Sequence, residues 1–92
     1  MRLLLVEDEH DIQAFLRRSL QEAGYQVDVA SDGKTAERQA TESAYDILVV
    51  DLGLPDCDGI SLILRLRQIG VKAPVLILSA RRSVDDRVRG LE

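Results

Sequence analysis

The 92-residue sequence predicts a doubly wound α/β fold on a parallel sheet. Three observations predict it: strand-like and helix-like patterns alternate from end to end, most strand segments are unbroken aliphatic runs, and acidic or hydroxyl residues stand where the strands end. A strand with one face in water alternates in polarity, whereas one covered by helices on both faces does not.

The run Leu3 to Val6 is the first strand. Ile12, Phe15, Leu16, Leu20 and Ala23 follow at helical spacing as the expected core face of a first helix, which Gly24 ends. Val27 and Val29 alternate with Gln26 and Asp28, the pattern of an edge strand with one wet face. Ser31-Asp32-Gly33 turns the chain into a second helix, and Ala36, Ala40 and Ala44 are its expected core face, small enough for close approach to the sheet. Ile47 to Asp51 is the third strand and Ile60 to Ile69 a strongly apolar helix closed by Gly70. Pro74 introduces a fourth strand, Val75 to Ser79, and Ser83 with Asp86 makes a capping-box-like start to a fourth helix.

A chain of this length has room for one domain. Its 46% hydrophobic and 30% charged content is that of a soluble globular protein, and its apolar runs are too short to span a membrane. The start, Met1 to His10, meets acids after a very short apolar stretch, unlike a signal peptide, so the chain reads as cytoplasmic. A net charge of −4 argues against direct nucleic-acid contact. The single Cys57 excludes an internal disulfide and a cysteine metal cage, and reads as a small loop residue.

In a parallel sheet ligands bind at the edge formed by the strand C-termini, where strand order reverses. Glu7 and Asp8 follow the first strand, Asp51 ends the third and Ser79 the fourth. With the flavodoxin-like order 2-1-3-4, the first three converge, and two charges 5 Å apart repel by about 3 kcal/mol at an effective dielectric near 20. A divalent cation offsets that, and an all-oxygen site suits magnesium. One histidine and one cysteine argue against zinc or copper. A carboxylate beside such a cation is a competent phosphoryl acceptor, and Asp51, followed by a loop shaped by Gly53 and Pro55, is the candidate. Glu9, Asp56 and Asp58 read as ordinary loop acids, Asp58 as a candidate N-cap.

The segments LLVEDE, VVDLGLPDCDG, PVLILSAR and DDRVRGLE, in that order and spacing over the whole chain, resemble the receiver domains of bacterial two-component response regulators, and DLGLPD with DDRVRGLE is most similar to the OmpR/PhoB type. The resemblance implies a CheY-like fold and makes Asp51 the phosphoacceptor for a cognate sensor histidine kinase, with Mg2+ bound by Asp8, Asp51, the Gly53 carbonyl and, mainly through water, Glu7. It also implies a switch hydroxyl at Ser79 and a small phosphate-pocket neighbour at Ala80. His10 takes no phosphoryl role.

Receiver domains continue into a fifth strand, with a phosphate-binding lysine and a switch aromatic, and a fifth helix. Residues 1–92 are thus expected to form a C-terminally incomplete receiver domain, with no DNA-binding domain. Lys34 and Lys72 do not match that lysine's motif. The fourth-strand edge, Val75 to Leu78, would be bare and prone to self-association. DNA contact would fall to a C-terminal winged-helix domain of the full-length regulator. The expected activity is a signalling one and not enzymatic. Two alternatives stand: a phosphorylation-incompetent interaction module, and an aspartyl-nucleophile phosphatase, which would need an acid where Gly53 stands.

Overall fold

In the computed structural model, which describes residues 1–78, the expected alternation is realised. Strand β1 (Arg2–Val6) is followed by α1 (His10–Glu22), β2 (Gln26–Ala30), α2 (Gly33–Glu42), β3 (Ile47–Asp51), α3 (Gly59–Gln68) and β4 (Val75–Leu78). The strands form one parallel sheet in the order β2-β1-β3-β4. Register places Val6 beside Ala30 on one side and Val50 on the other, and Asp51 beside Leu78. The ends of β1 and β3 therefore share one edge, as the strand-end argument requires.

Period-two alternation explains why β1 from Leu3 to Val6 and β3 from Ile47 to Val50 are unbroken apolar runs. Leu4, Val6, Leu48 and Val50 pack with Ala36, Ala40, Leu62 and Leu66 under α2 and α3. Leu3, Leu5 and Val49 pack on the opposite face with Leu16 and Leu20 of α1. With no wet face to serve, neither strand needs a polar residue until it ends.

Helix boundaries follow from capping. Asp32 caps α2 by accepting from the Thr35 N–H (2.7 Å), and Asp58 caps α3 by accepting from Ile60 (2.8 Å) and Ser61 (3.1 Å), as its loop position suggested. Helices α1 and α3 both end in Schellman motifs. Gly24 (φ 101°) and Gly70 (φ 97°) take the left-handed position, while Tyr25 N–H donates to the Leu20 carbonyl and Val71 N–H to that of Leu66.

Three expectations need correction. Ala44 is exposed and lies beyond α2, because Ser43 is extended (φ −134°) and takes the chain off the helical spacing. Phe15 is 68% exposed and Ala23 is exposed as well: α1 is the lone helix over its face among the described residues, so only its Leu16 and Leu20 side packs against the sheet. Strand β1 begins at Arg2, whose N–H is bound by the Asp46 carboxylate at 2.7 Å. Ser79, Ala80 and the expected fourth helix lie outside the described residues.

Candidate functional site

The strand ends build the site. Glu7 continues the line of β1, its N–H donating to the Ala30 carbonyl (3.0 Å), and Asp8 follows at the turn toward α1. Asp51 arrives from β3. One carboxylate oxygen from each of Glu7, Asp8 and Asp51 lies within 4.8 Å of the others. Glu7 is 2% exposed and Asp51 8%, so this is a largely buried acidic cluster.

Glu7 has compensation of its own. Its Oε2 accepts the Glu9 N–H at 2.9 Å, while the Gln13 side-chain amide donates to the Glu7 carbonyl (2.8 Å) and to Ser31 Oγ (3.3 Å). Burial nonetheless pushes the Glu7 carboxyl above its ordinary range, with the Asp51 and Asp8 charges adding to the effect and the Glu9 N–H opposing it. Asp8 Oδ1 and Asp51 Oδ2 are buried without a hydrogen-bond partner. Buried carboxylate oxygens left unpaired beside one another are costly, and a hard divalent cation with an all-oxygen preference satisfies both. The donor set fits magnesium on those grounds.

The loop after Asp51 is tied down. The Gly59 N–H donates to the Leu52 carbonyl (2.8 Å), and Gly53 faces Asp58 in an isolated antiparallel bridge. Gly59 has no room for a side chain, since a Cβ there would meet the Asp51 carbonyl oxygen at 2.6 Å. Beside the acids, Ile12, Phe15, Leu16 and Leu78 line an apolar cleft of about 420 Å³ that reaches Glu7, Asp11 and Asp51.

Sequence reading thus located Glu7, Asp8 and Asp51 together and set Gly53 in the loop beside them. Ser79 and Ala80 fall outside the described residues. Lys34 is exposed in the first turn of α2, and Lys72 precedes β4, at the end of that strand away from Asp51. Reading missed Gln13 and the Glu9 N–H, which orient Glu7; the signal for Gln13 is an amide set on the inward flank of α1 between Ile12 and Leu16. It also missed Asp56, whose carboxylate accepts from the N–H groups of Gly33 and Lys34 (2.8 and 3.0 Å).

Compared with known families, residues 3–92 match the response regulator receiver domain. The chain belongs to that family. This receiver domain is 47% identical over 91 residues to the transcriptional regulatory protein PrrA of Mycobacterium leprae, a match covering 99% of this chain and 39% of the relative. The chain therefore spans about two fifths of the length of that curated relative. Its fold is similar to the Francisella response regulator 1452 receiver domain, with a TM-score of 0.83 and 37% identity over 98% of this chain and 74% of that one. It is also similar to a chain in the solved complex of histidine kinase ThkA with response regulator protein TrrA, with a TM-score of 0.80 and 32% identity over 86% of this chain and 68% of the other. The likeness to a transcriptional regulator agrees with the OmpR/PhoB-type features of the sequence. No helix among the described residues is long and apolar enough to cross a membrane.

Proposed function

We propose that Asp51 is the phosphoacceptor of this receiver domain, taking a phosphoryl group from the phosphohistidine of a cognate sensor kinase. The observation that carries the reading is the convergence of Glu7, Asp8 and Asp51 from two neighbouring strand ends, with buried oxygens of Asp8 and Asp51 unpaired. An Asp51 oxygen forms the new P–O bond as the donor's P–N bond breaks, the leaving nitrogen keeps the electron pair and takes up a proton, and an acyl phosphate results. Strand β3, buried on both faces, fixes the direction of attack. Glu7, Asp8, Asp51 and the Gly53 carbonyl would hold Mg2+, whose chemistry is to neutralise the charge of the incoming phosphoryl group.

Ser79 and Ala80 are proposed as the switch hydroxyl and the small residue beside the phosphoryl pocket, on the strength of the motif they share with the family. The domain is proposed to work in the cytoplasm as the input half of a regulator that contacts DNA through another domain, a reading supported by the name of its relative PrrA. The partner reading is supported by the ThkA–TrrA complex of a similar chain. We place the chain outside the enzymes, because Gly53 stands where an aspartyl phosphatase keeps its general acid.

The test is intact mass after exposure to a small phosphodonor with magnesium. A phosphoacceptor gains a single phosphoryl group that Asp51→Asn and chelation of the metal both abolish. Catalytic release of phosphate would instead indicate a phosphatase, and no modification at all an interaction module.

A further inference from the structure

Helix α2 is capped twice, and the second cap comes from the loop that follows Asp51. The helix's own N-cap, Asp32, serves the Thr35 N–H (2.7 Å). The N–H groups of Gly33 and Lys34, earlier in the same turn, are served from 22 to 23 residues away by the two oxygens of Asp56 (2.8 and 3.0 Å). The first turn of α2 contains no acidic residue of its own, so Asp56 joins the N-cap Asp32 as a second carboxylate at the positive end of this helix.

We propose that Asp56 is a positioning residue for the metal-binding loop: by capping α2 in trans it holds residues 52–58 so that Gly53 stands beside Asp51. The proposal rests on the reading of Glu7, Asp8, Asp51 and Gly53 as the magnesium site. Asp56 touches none of the reacting groups and acts through Gly53.

Other features of the two segments agree. A Cβ on Gly33 would lie 2.3 Å from Cys57 Sγ and 3.2 Å from Asp56 Oδ1, so a side chain there would push the loop away from the helix. The N–H of Gly33, followed by that of Lys34, holds the Asp56 carboxyl below the usual carboxylate range, as a double helix-end hydrogen bond to the ionised form should. The far side of the loop is tied as well, by the Gly59 N–H on the Leu52 carbonyl (2.8 Å) and by Asp58 capping α3. Below the clasp, the ion pair of Arg65 with Glu37 joins α3 to α2. With both flanks anchored, Asp56 decides where the middle of a Gly- and Pro-containing loop rests.

Outer residues that orient metal ligands typically contribute about 10- to 100-fold in metal affinity. The measurement is a calorimetric titration of the 92-residue chain with magnesium alone. Asp56→Ala is expected to weaken binding about tenfold. Asp56→Asn, whose amide oxygen still accepts one of the two N–H groups, is expected to recover most of that loss. Equal weakening in both variants would reveal a simple loss of negative charge and overturn the proposal, and so would unchanged affinity in Asp56→Ala accompanied only by a lower melting temperature.

Asp8→Asn and Asp51→Asn serve as controls, since survival of magnesium uptake in them would refute the metal site and not the clasp. Amide exchange in metal-free protein then judges the clasp by itself. Asp56→Ala should speed exchange at Gly59, across the loop, as well as at Gly33 and Lys34. Faster exchange confined to Gly33 and Lys34 would overturn the positioning role.

Discussion

Replacing Asp51 by Asn should make the metal-free protein more stable. The carboxylate oxygens of Glu7, Asp8 and Asp51 lie within 4.8 Å of one another, a separation at which two unit charges repel by about 3 kcal/mol at an effective dielectric near 20. Burial first, and the Asp51 charge in addition, raise the Glu7 carboxyl above its ordinary range, so removing the Asp51 charge relieves Glu7 as well as Asp8. Asp8 is only half-buried, and solvent screening reduces the relief to about 1–2 kcal/mol. In a domain of this size that corresponds to a rise in Tm of roughly 4–8 °C per kcal/mol.

The same substitution should remove the response to magnesium. At a hundredfold excess over Kd, a ligand specific for the folded state stabilises it by about 2.7 kcal/mol. Urea and thermal melts of both proteins, in chelator and in excess magnesium, give all four values. The expected pattern is crossed: Asp51→Asn is the more stable in chelator and the less stable in magnesium. Equal stability in chelator would refute the repulsion argument, and an equal gain from magnesium would refute the metal site.

Gly59→Ala should destabilise by about 1–3 kcal/mol although Ala favours helix, because its Cβ would meet backbone atoms, the Asp51 carbonyl oxygen at 2.6 Å and Leu52 Cα at 2.8 Å; urea melts measure this. Desolvation, followed by the hydrogen bond to Asp28, pushes the Tyr45 hydroxyl up to about 12. A folded pKa raised in this way contributes stability that is complete below about pH 10 and lost as pH rises through 12, and the tyrosinate absorbance missing from Tyr45→Phe should appear near the upper value. The Tyr45 hydroxyl, followed by Arg2, lowers the Asp28 pKa from 3.8, so the stability it contributes is present above that value and fades as pH falls below it; Tyr45→Phe should bring the Asp28 titration, followed by NMR, back up toward 3.8. Strand β4 ends the sheet on one side among the described residues, with Leu76 57% exposed and neither charge nor proline in Val75–Leu78; we propose self-association through this edge, and light scattering should show a dimer that Ile77→Lys disrupts.

The fold was legible wherever burial is two-sided. Unbroken aliphatic runs announce β1 and β3, because a strand covered on both faces needs no polar residue before it ends. The site was legible for a related reason: Glu7, Asp8 and Asp51 interrupt those runs at their C-terminal ends, which topology alone assembles. Side-chain spacing was a weaker guide on α1 and α2. Phe15 has the spacing of a core residue yet faces outward, since helical periodicity marks a face without saying how much of it finds a partner. Ala44 has helical spacing from Ala36 and Ala40, but the helix has already ended. Asp56 was illegible because its partners, Gly33 and Lys34, are backbone groups, which carry no residue signature.

The central claim is that Asp51 accepts the phosphoryl group, and trapping it tests this most directly. Protein treated with a phosphodonor and magnesium is reduced with borohydride, which converts an aspartyl phosphate to homoserine, and the peptides are then mapped by mass. Homoserine at position 51 alone, absent when magnesium is withheld, is the predicted result. Trapping at another carboxylate, or a full yield in Asp51→Asn, would contradict the account.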